Sequence, residues 1–243
     1  MIRSLTALIA CAALLGFATD VRSADWVAGK HFSVLPQAQR TTVPPGKVEV
    51  MEVFSYGCPA CNSFRPTMKK LKGALPANAQ LTYLPAAWNT AENWPTFQRA
   101  YLTAQSLGVA EKAHDAMFEA IWTTGELGII DNASQRIKSR LPSIEDMGRF
   151  YQRVAGVKAA DFVNASKSFS VDLKMRQADT QIVAMQVSGT PTLVVAGKYR
   201  INNEAFKSND EIIDAVKFLV AKETPPAAAP AKKSRPYVRR YHA

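Results

Sequence analysis

Cys58-Pro59-Ala60-Cys61 separates two segments of different character. Before it, residues 47–56 are apolar at alternate and intervening positions alike, which predicts a strand buried on both faces. After it, residues 59–73 are predicted to form a helix, and Pro59 suits the first turn because its missing N–H would be unpaired there. Free N–H groups and the positive end of the helix dipole favour an anion at this position. The sequence therefore predicts a Cys58 thiolate of lowered pKa, which is the reactive form of cysteine.

The two cysteines have different predicted roles. Cys58 lies at the predicted helix cap, within reach of the N–H groups of residues 60 and 61. A stabilised thiolate makes the corresponding disulfide a stronger oxidant and Cys58 a better leaving group. Cys61 follows one helical turn later, where we expect it to be more buried and to act as the resolving thiol. The alternative is an inert structural disulfide, which so short a loop at a helix start does not favour.

The first 23 residues predict a cleaved secretory signal peptide. Arg3 gives a basic start, residues 5–18 form an apolar run, and small or branched residues precede a cleavage site after Ser23. The run is shorter than the roughly 20 apolar residues that a membrane span needs. Residues 8–11 resemble a lipoprotein signal, so lipid attachment at Cys11 is the minor alternative to loss of Cys11 with the signal. An exported, periplasmic protein is the prediction.

Cysteine and charge content exclude several classes of function. With the signal removed, Cys58 and Cys61 are the cysteines that remain, which favours redox chemistry in an oxidising compartment over a disulfide scaffold. One cysteine pair lacks the further ligands of a zinc site, and Asn62 stands where a haem-attachment motif has histidine. We therefore expect no metal and no cofactor beyond the Cys58–Cys61 redox pair. The net charge of +10 forms no basic stripe with interleaved aromatic residues, so nucleic acid is not an expected partner.

The rest of the chain gives an ordered series of predicted elements. Residues 24–46 read as a leader of loops, and residues 223–243 as a disordered basic tail, with weak attraction to anionic lipid as an alternative. Between them the patterns predict a second strand at 80–84 and then a series of helices from about 91 to 187, one of which places Ile137 and Leu141 on the same face. A hairpin at 192–195 and 199–202 is predicted next. The last predicted element is a helix at 209–222, capped by Ser208.

This order of strands and helices resembles the DsbA-type thiol:disulfide interchange proteins. The resemblance covers residues 24–222, and two motifs carry it, Phe54-Ser55-Tyr56-Gly57-Cys58-Pro59-Ala60-Cys61 and Val187-Ser188-Gly189-Thr190-Pro191-Thr192. It implies an α/β protein with a thioredoxin-like fold and an inserted helical domain. The thioredoxin-like domain would comprise residues 24–90 and 186–222, and the helical insertion residues 91–185.

The resemblance also assigns roles near the cysteines. Thr190-Pro191 matches the family's cis-proline loop, which lies against the active-site sulfurs and lets the Thr190 backbone pair with an extended substrate. An ordinary proline at a strand start is the alternative. Familiar members often carry Pro-His between the cysteines, whereas this chain has Pro59 and Ala60. Without that histidine the sequence does not determine how strong an oxidant the protein is, but the predicted reaction type is unchanged.

A carboxylate beneath the cysteines is the third candidate catalytic group. Counting by twos along the strand, Glu52 shares a face with Val50 and Phe54, so it is expected to be partly buried, with a pKa raised by desolvation. It matches the family's buried acid, which implies a proton acceptor for Cys61. A solvated strand-end glutamate is the alternative, and Glu49 is expected to be exposed. Familiar members also place a lysine near the acid, where this chain has Tyr83 or Leu84.

The remaining aromatic and histidine residues favour packing roles. We expect the large aromatic side chains to belong more often to the core than to a substrate groove, and the histidines to be surface or packing residues. The aromatic residues are Trp88, Trp94, Phe97, Phe118 and Trp122, and the histidines are His31, His114 and His242.

Three functions are consistent with these features. The first is a periplasmic dithiol oxidase acting on folding exported proteins with free cysteines, for which the resemblance implies reoxidation by a membrane-embedded, quinone-linked oxidase of the DsbB type. The second is a disulfide isomerase or reductase, but residues 24–46 are too few for the N-terminal dimerisation domain of DsbC-type isomerases. The third is a non-enzymatic periplasmic holdase with vestigial cysteines.

Overall fold

The computed structural model describes residues 26–131 and 133–224. The predicted signal peptide, Cys11, His242 and nearly all of the basic tail lie outside these residues. The strands are β1 (Phe32–Val34), β2 (Val48–Phe54), β3 (Ala79–Pro85), β4 (Thr192–Val195) and β5 (Tyr199–Ile201). The helices are α1 (Pro59–Ala74), α2 (Trp94–Ser106), α3 (Ala110–Trp122), α4 (Ile144–Ala155), α5 (Ala159–Ser166), α6 (Phe169–Ala184) and α7 (Asn209–Glu223).

The five strands form one mixed sheet in the order β1-β5-β4-β2-β3. Strand β2 pairs with β3 in parallel and with β4 antiparallel. All seven of its residues are buried, which the apolar run predicted for the strand as a whole but not for Glu49. Its carboxyl end leads directly to Cys58, which places the cysteine motif at one edge of the sheet. Strand β3 is the last strand on its side.

Helices cover both faces of the sheet and enclose two clusters of buried side chains. The first cluster joins the sheet to α1 and α7 through Val50, Leu71, Leu193 and Val216. The second extends from Phe54 into the block α2–α6, and its largest members include Phe97, Phe118 and Tyr151. In the described residues, no helix is both long and apolar enough to cross a membrane.

Two predictions about local structure are wrong. The leader was expected to contain loops, but Phe32–Val34 forms β1, with Phe32 opposite Ile201. A three-residue strand depends on its distant partner and has almost no pattern of its own. Ile137 and Leu141 were assigned to a helix, but Ile137 instead forms an isolated antiparallel bridge with Ile130. The tight turn in which Asp131 Oδ1 accepts from the Ser134 N–H and hydroxyl, each at 2.8 Å, sets up that bridge.

The helices and strands closest to the cysteine motif lie where the sequence predicted them. Helix α1 begins at Pro59 as expected. The hairpin β4–β5 forms around residues 196–198, and α7 begins after Ser208, whose hydroxyl accepts from the Glu211 N–H at 3.3 Å. Strand β3 extends one residue beyond the predicted range at each end.

Candidate active site

Cys58 is the N-cap residue of α1. Its backbone is extended, with φ −87° and ψ 116°, and its Sγ accepts a hydrogen bond from the Cys61 N–H at 3.4 Å. The cysteines are free thiols, with exposed fractions of 5% for Cys58 and 1% for Cys61. The geometry thus places both residues where the sequence predicted them, with the second sulfur the more deeply buried.

The surroundings of the two sulfurs separate their pKa values. The pKa of Cys58 falls to about 6, chiefly because the Cys61 thiol donates a hydrogen bond to its thiolate; burial opposes this, and N–H groups at the start of α1 support it. The pKa of Cys61 is raised far above its ordinary value by burial and by the charges of Cys58 and Glu52. At neutral pH the negative charge therefore resides on Cys58 and the proton on Cys61.

We expect the thiolate absorbance of the reduced protein near 240 nm to titrate with a midpoint near pH 6, since the pKa of Cys58 is lowered to about 6. Cys61→Ala should move this midpoint upward, because it removes the thiol that donates to the Cys58 sulfur. Cys58→Ser should abolish the step over the same pH range. A midpoint close to that of an ordinary cysteine would contradict this assignment.

The loop before β4 lies against the first sulfur. The Thr190–Pro191 peptide bond is cis, and the Cys58 sulfur lies 3.5 Å from the Thr190 carbonyl oxygen, to which it donates only when protonated. Asn203 Nδ2 donates to the Pro191 carbonyl oxygen at 2.8 Å and so fixes the loop from the other side. The Thr190 hydroxyl is buried and has no hydrogen-bond partner among the described residues. A groove of about 650 Å³ runs along this loop, so an extended chain can reach the loop beside the sulfur.

Glu52 lies on the central strand beneath the cysteines. It pairs with Tyr83 of β3 and Leu193 of β4, and its exposed fraction is 3%, so the solvated alternative is wrong. Burial, reinforced by the charge of Cys58, raises its pKa to about 8. At neutral pH the side chain is therefore protonated and can give its proton to a leaving Cys61 thiolate. Only the carboxylate left by that transfer can take a proton back from the Cys61 thiol.

Glu49 was expected to be exposed, and this prediction is wrong. Its exposed fraction is 1%, and its Oε1 accepts hydrogen bonds from the Thr42 N–H at 3.1 Å and the Thr42 hydroxyl at 2.6 Å. The segment before β2 folds back over the start of the strand and pairs this one oxygen, whereas Glu49 Oε2 is buried without a hydrogen-bond partner among the described residues. The local sequence contains no signal for that fold-back.

An aromatic cluster beside Glu52 was not foreseen as part of the site. His114 Nδ1 lies 3.1 Å from the Tyr56 hydroxyl, and the His114 ring lies 4.2 Å from the ring of Tyr83. Burial lowers the pKa of His114 to about 4, so the imidazole is neutral at pH 7. Tyr83 occupies the position opposite Glu52, and the acid thus has neutral aromatic neighbours on this side. His114 packs in the interior, which was one of its two predicted roles. Its contact with Tyr56, 58 positions earlier, could not be predicted from the sequence.

Two tryptophans brace the motif from the helical block. A side chain at Gly57 would meet the indole of Trp94 at 2.7 Å, so the close approach requires glycine. Trp122 Nε1 donates to the Tyr56 carbonyl oxygen at 2.8 Å. Trp94, like Phe97 and Phe118, is buried as expected, whereas Trp88 is 46% exposed and does not belong to the core.

Comparison with known proteins gives a consistent set of relatives. The thioredoxin family model matches residues 44–215. The thiol:disulfide interchange protein DsbA of Pseudomonas aeruginosa is 34% identical over 223 residues, which cover 90% of this chain and 95% of that protein. The DsbA of Azotobacter vinelandii is 31% identical, with coverage of 90% and 96%.

Solved structures show the same architecture. The crystal structure of the oxidoreductase DsbA from Xylella fastidiosa superposes with a TM-score of 0.69 at 29% identity, covering 81% of this chain and 97% of that one. The crystal structure of Pseudomonas aeruginosa DsbA gives a TM-score of 0.66 at 33% identity, with coverage of 82% and 95%.

Proposed function

Since the chain belongs to the DsbA family of thiol:disulfide interchange proteins, we propose that it is the oxidant of cysteine pairs in exported polypeptides that fold in the periplasm. The chain is a thiol:disulfide oxidoreductase with a thioredoxin-like fold. The observation that carries the oxidising direction is the lowered pKa of Cys58 at the start of α1. A protein whose reduced form holds a stable thiolate gives up its disulfide readily.

The reaction proceeds by two displacements. A client thiolate attacks Cys58 Sγ in the Cys58–Cys61 disulfide, the bond between the two cysteines breaks, and Cys61 leaves as a thiolate. Glu52, protonated at neutral pH, gives its proton to Cys61, whose raised pKa makes it the stronger base. A second client thiolate then attacks the client sulfur of the mixed disulfide. Cys58 leaves as a stable thiolate, so the client has lost two electrons and the enzyme has gained them.

The cis-proline loop positions the client for these steps. Its Thr190 carbonyl lies 3.5 Å from the Cys58 sulfur, so a client strand that pairs with the Thr190 main chain brings its own cysteine to that sulfur. Pro59 begins α1 and leaves the following N–H groups free for the sulfur, whereas Ala60 supplies only its backbone N–H. The dipeptide therefore stabilises the thiolate without a side-chain donor.

The cycle needs a partner that restores the disulfide. We assign this step to a membrane-embedded, quinone-linked oxidase of the DsbB type, which accepts the two electrons held by Cys58 and Cys61. The predicted signal at residues 1–23 supports a periplasmic location, with lipid attachment at Cys11 as the minor alternative.

Two assays with the purified protein test the direction of the reaction. We expect equilibration with glutathione to give a potential clearly more oxidising than that of thioredoxin, and we expect rapid oxidation of reduced, unfolded ribonuclease A. Scrambled ribonuclease, which needs isomerisation, should be rescued slowly. A potential as reducing as that of thioredoxin, together with efficient rescue of scrambled ribonuclease, would instead indicate an isomerase or reductase. Threonine before the cis-proline also occurs in isomerases, so both substrates must be compared.

A further inference from the structure

Only half of the main-chain N–H and C=O groups of strand β3 form hydrogen bonds within the sheet. At its two ends, the Val48 N–H donates to the Asn78 carbonyl at 2.8 Å and the Ala86 N–H to the Phe54 carbonyl at 2.7 Å. A parallel ladder repeats every two residues, so the even-numbered residues of β3 direct their N–H and C=O groups toward β2. The odd-numbered residues direct theirs away from the sheet.

Leu81 and Tyr83 are the odd-numbered residues in the middle of β3. Because β3 is the last strand of the sheet that the described residues form, none of the described strands lies on their outer side. Within residues 26–131 and 133–224, no group accepts a hydrogen bond from either N–H. An unpaired row of this kind at a sheet edge is a template for a further strand.

A groove of about 780 Å³ runs along this free edge. Its inner wall includes Leu81, Thr82 and Tyr83, and its outer wall comes from the end of α2, the start of α3 and one side of α6. Amide side chains are prominent in the lining, among them Gln80, Gln105, Gln177 and Gln181. Such side chains both donate and accept, which suits a polypeptide main chain.

One buried polar atom in the groove has no partner. The Thr82 Oγ1 is shielded from solvent, and no described residue hydrogen-bonds it. Leaving a buried hydroxyl unpaired is unfavourable, so an occupant that pairs it gains binding energy. Lys112 and Lys174 also line the groove, whereas the carboxylate of Glu111 pairs with Lys72 at 3.5 Å. The lining thus favours a neutral or acidic occupant that supplies hydrogen-bonding groups.

We propose that this groove is a second docking site for the client, in which an extended, neutral or acidic client segment joins the sheet beside β3 and hydrogen-bonds the main chain of Leu81 and Tyr83. The proposal rests on the proposed function, because that function supplies unfolded polypeptides. Strands β2 and β3 are parallel, so the groove ends at the sheet edge from which Cys58 is presented. A client held there stays close to the reacting sulfur between successive disulfide exchanges.

The protein's own tail is the competing occupant. Asn78 Nδ2 donates to the Thr224 hydroxyl at 2.7 Å, so the chain beyond residue 224 starts next to β3. That segment carries Lys232, Lys233 and three arginines and contains no acidic residue. The lysines of the groove repel such a chain, which is why we assign the groove to the client.

Residue-resolved hydrogen exchange tests the proposal without any thiol chemistry. The protein carries Cys58→Ser and Cys61→Ser, retains its tail, and is mixed with reduced, carboxymethylated α-lactalbumin, which is unfolded, acidic and free of thiols. We expect amide exchange at Leu81 and Tyr83 to slow at least tenfold. Unchanged exchange would overturn the proposal, and so would protection already present before the probe is added, which would assign the groove to the tail. Failure of the ribonuclease assays would leave this readout unaffected.

A matched pair of variants on α6 locates the binding. Gln177 is exposed and lines the groove, whereas Thr180 is exposed on the same helix outside it. Gln177→Trp should fill the groove and weaken probe binding at least tenfold, and Thr180→Trp should bind like the parent. Equal affinities for the two variants would overturn the proposal. Thr82→Val provides a second readout, because it should weaken binding about threefold or more without lowering the stability of the free protein.

Discussion

Replacing Cys58 with serine is expected to reduce client oxidation by about a thousandfold or more, because the nucleophile and leaving group of both displacements is lost. A serine hydroxyl stays protonated at neutral pH and cannot form the disulfide that the client attacks. A shift like the one that lowers the pKa of Cys58 from 9.0 to about 6 would still leave so weak an acid protonated. The measurement is the second-order rate of oxidation of reduced ribonuclease A.

Cys61→Ser is the matched control for this experiment. It keeps Cys58 at the start of α1 but removes the resolving thiol. When its Cys58 thiolate attacks a disulfide of an oxidised client, one client sulfur leaves and a mixed disulfide forms, which we expect to accumulate and which can be trapped with acid and seen by mass. Circular dichroism should show both variants folded, since each replaces sulfur by oxygen at one buried position. Undiminished oxidation by Cys58→Ser would refute the assignment of the nucleophile.

Glu52→Gln is expected to stabilise the reduced protein progressively more as the pH rises from about 4.5 to about 8. The pKa of Glu52 is raised from 4.5 to about 8 in the folded state, so over this window the unfolded chain releases a proton that the folded protein retains. Stability contributed by the protonated carboxyl is present below pH 4.5 and is lost as the pH rises. At about 1.4 kcal/mol per pH unit, the variant should gain about 4–5 kcal/mol relative to the parent by pH 8.

The difference between variant and parent is the quantity to measure, because other groups act in the opposite direction. The lowered pKa values of His114 and Cys58 make stability rise with pH through about 4–6.5 and 6–9 respectively. Urea unfolding under reducing conditions at several pH values isolates the contribution of Glu52. Glu119→Gln, at an exposed position on α3, is the control and should show no growing difference. A flat difference for Glu52→Gln would contradict burial of the acid.

The same variant should slow the chemistry while it stabilises the fold. Without the carboxyl group, Cys61 loses its proton donor when it leaves as a thiolate during client attack on the Cys58–Cys61 disulfide. We expect that step to lose its dependence on a group titrating near pH 8 and to become slower by roughly 100-fold or more. A purely structural role for Glu52 would change stability and leave this pH profile intact.

The sequence predicted correctly those elements that are determined by residues close to one another along the chain. The strand before Cys58, the helix that Pro59 begins and the helix that Ser208 caps each follow from residues within a few positions of one another. The burial of Glu52 follows from alternation along the same strand. The candidate site could therefore be predicted, because Cys58, Cys61 and Glu52 all lie within ten residues of sequence.

The features that sequence reasoning missed are all non-local. Strand β1 exists because Phe32 meets Ile201, and Glu49 is buried because Thr42 folds back onto it. The contact between His114 and Tyr56 joins α3 to the end of β2. Each depends on the packing of distant segments, which no window of sequence contains. The groove along β3 belongs to the same class, because three separate helices form its outer wall.

The contacts of Trp94 and Trp122 with the motif restrict how this protein can be recombined with its relatives. Both indoles come from the helical block, yet one closes against Gly57 and the other binds the carbonyl of Tyr56. A chimera that takes its helices from another family member must therefore import residues that match these two positions. Otherwise the exchanged block will fold correctly and still leave the redox loop misplaced.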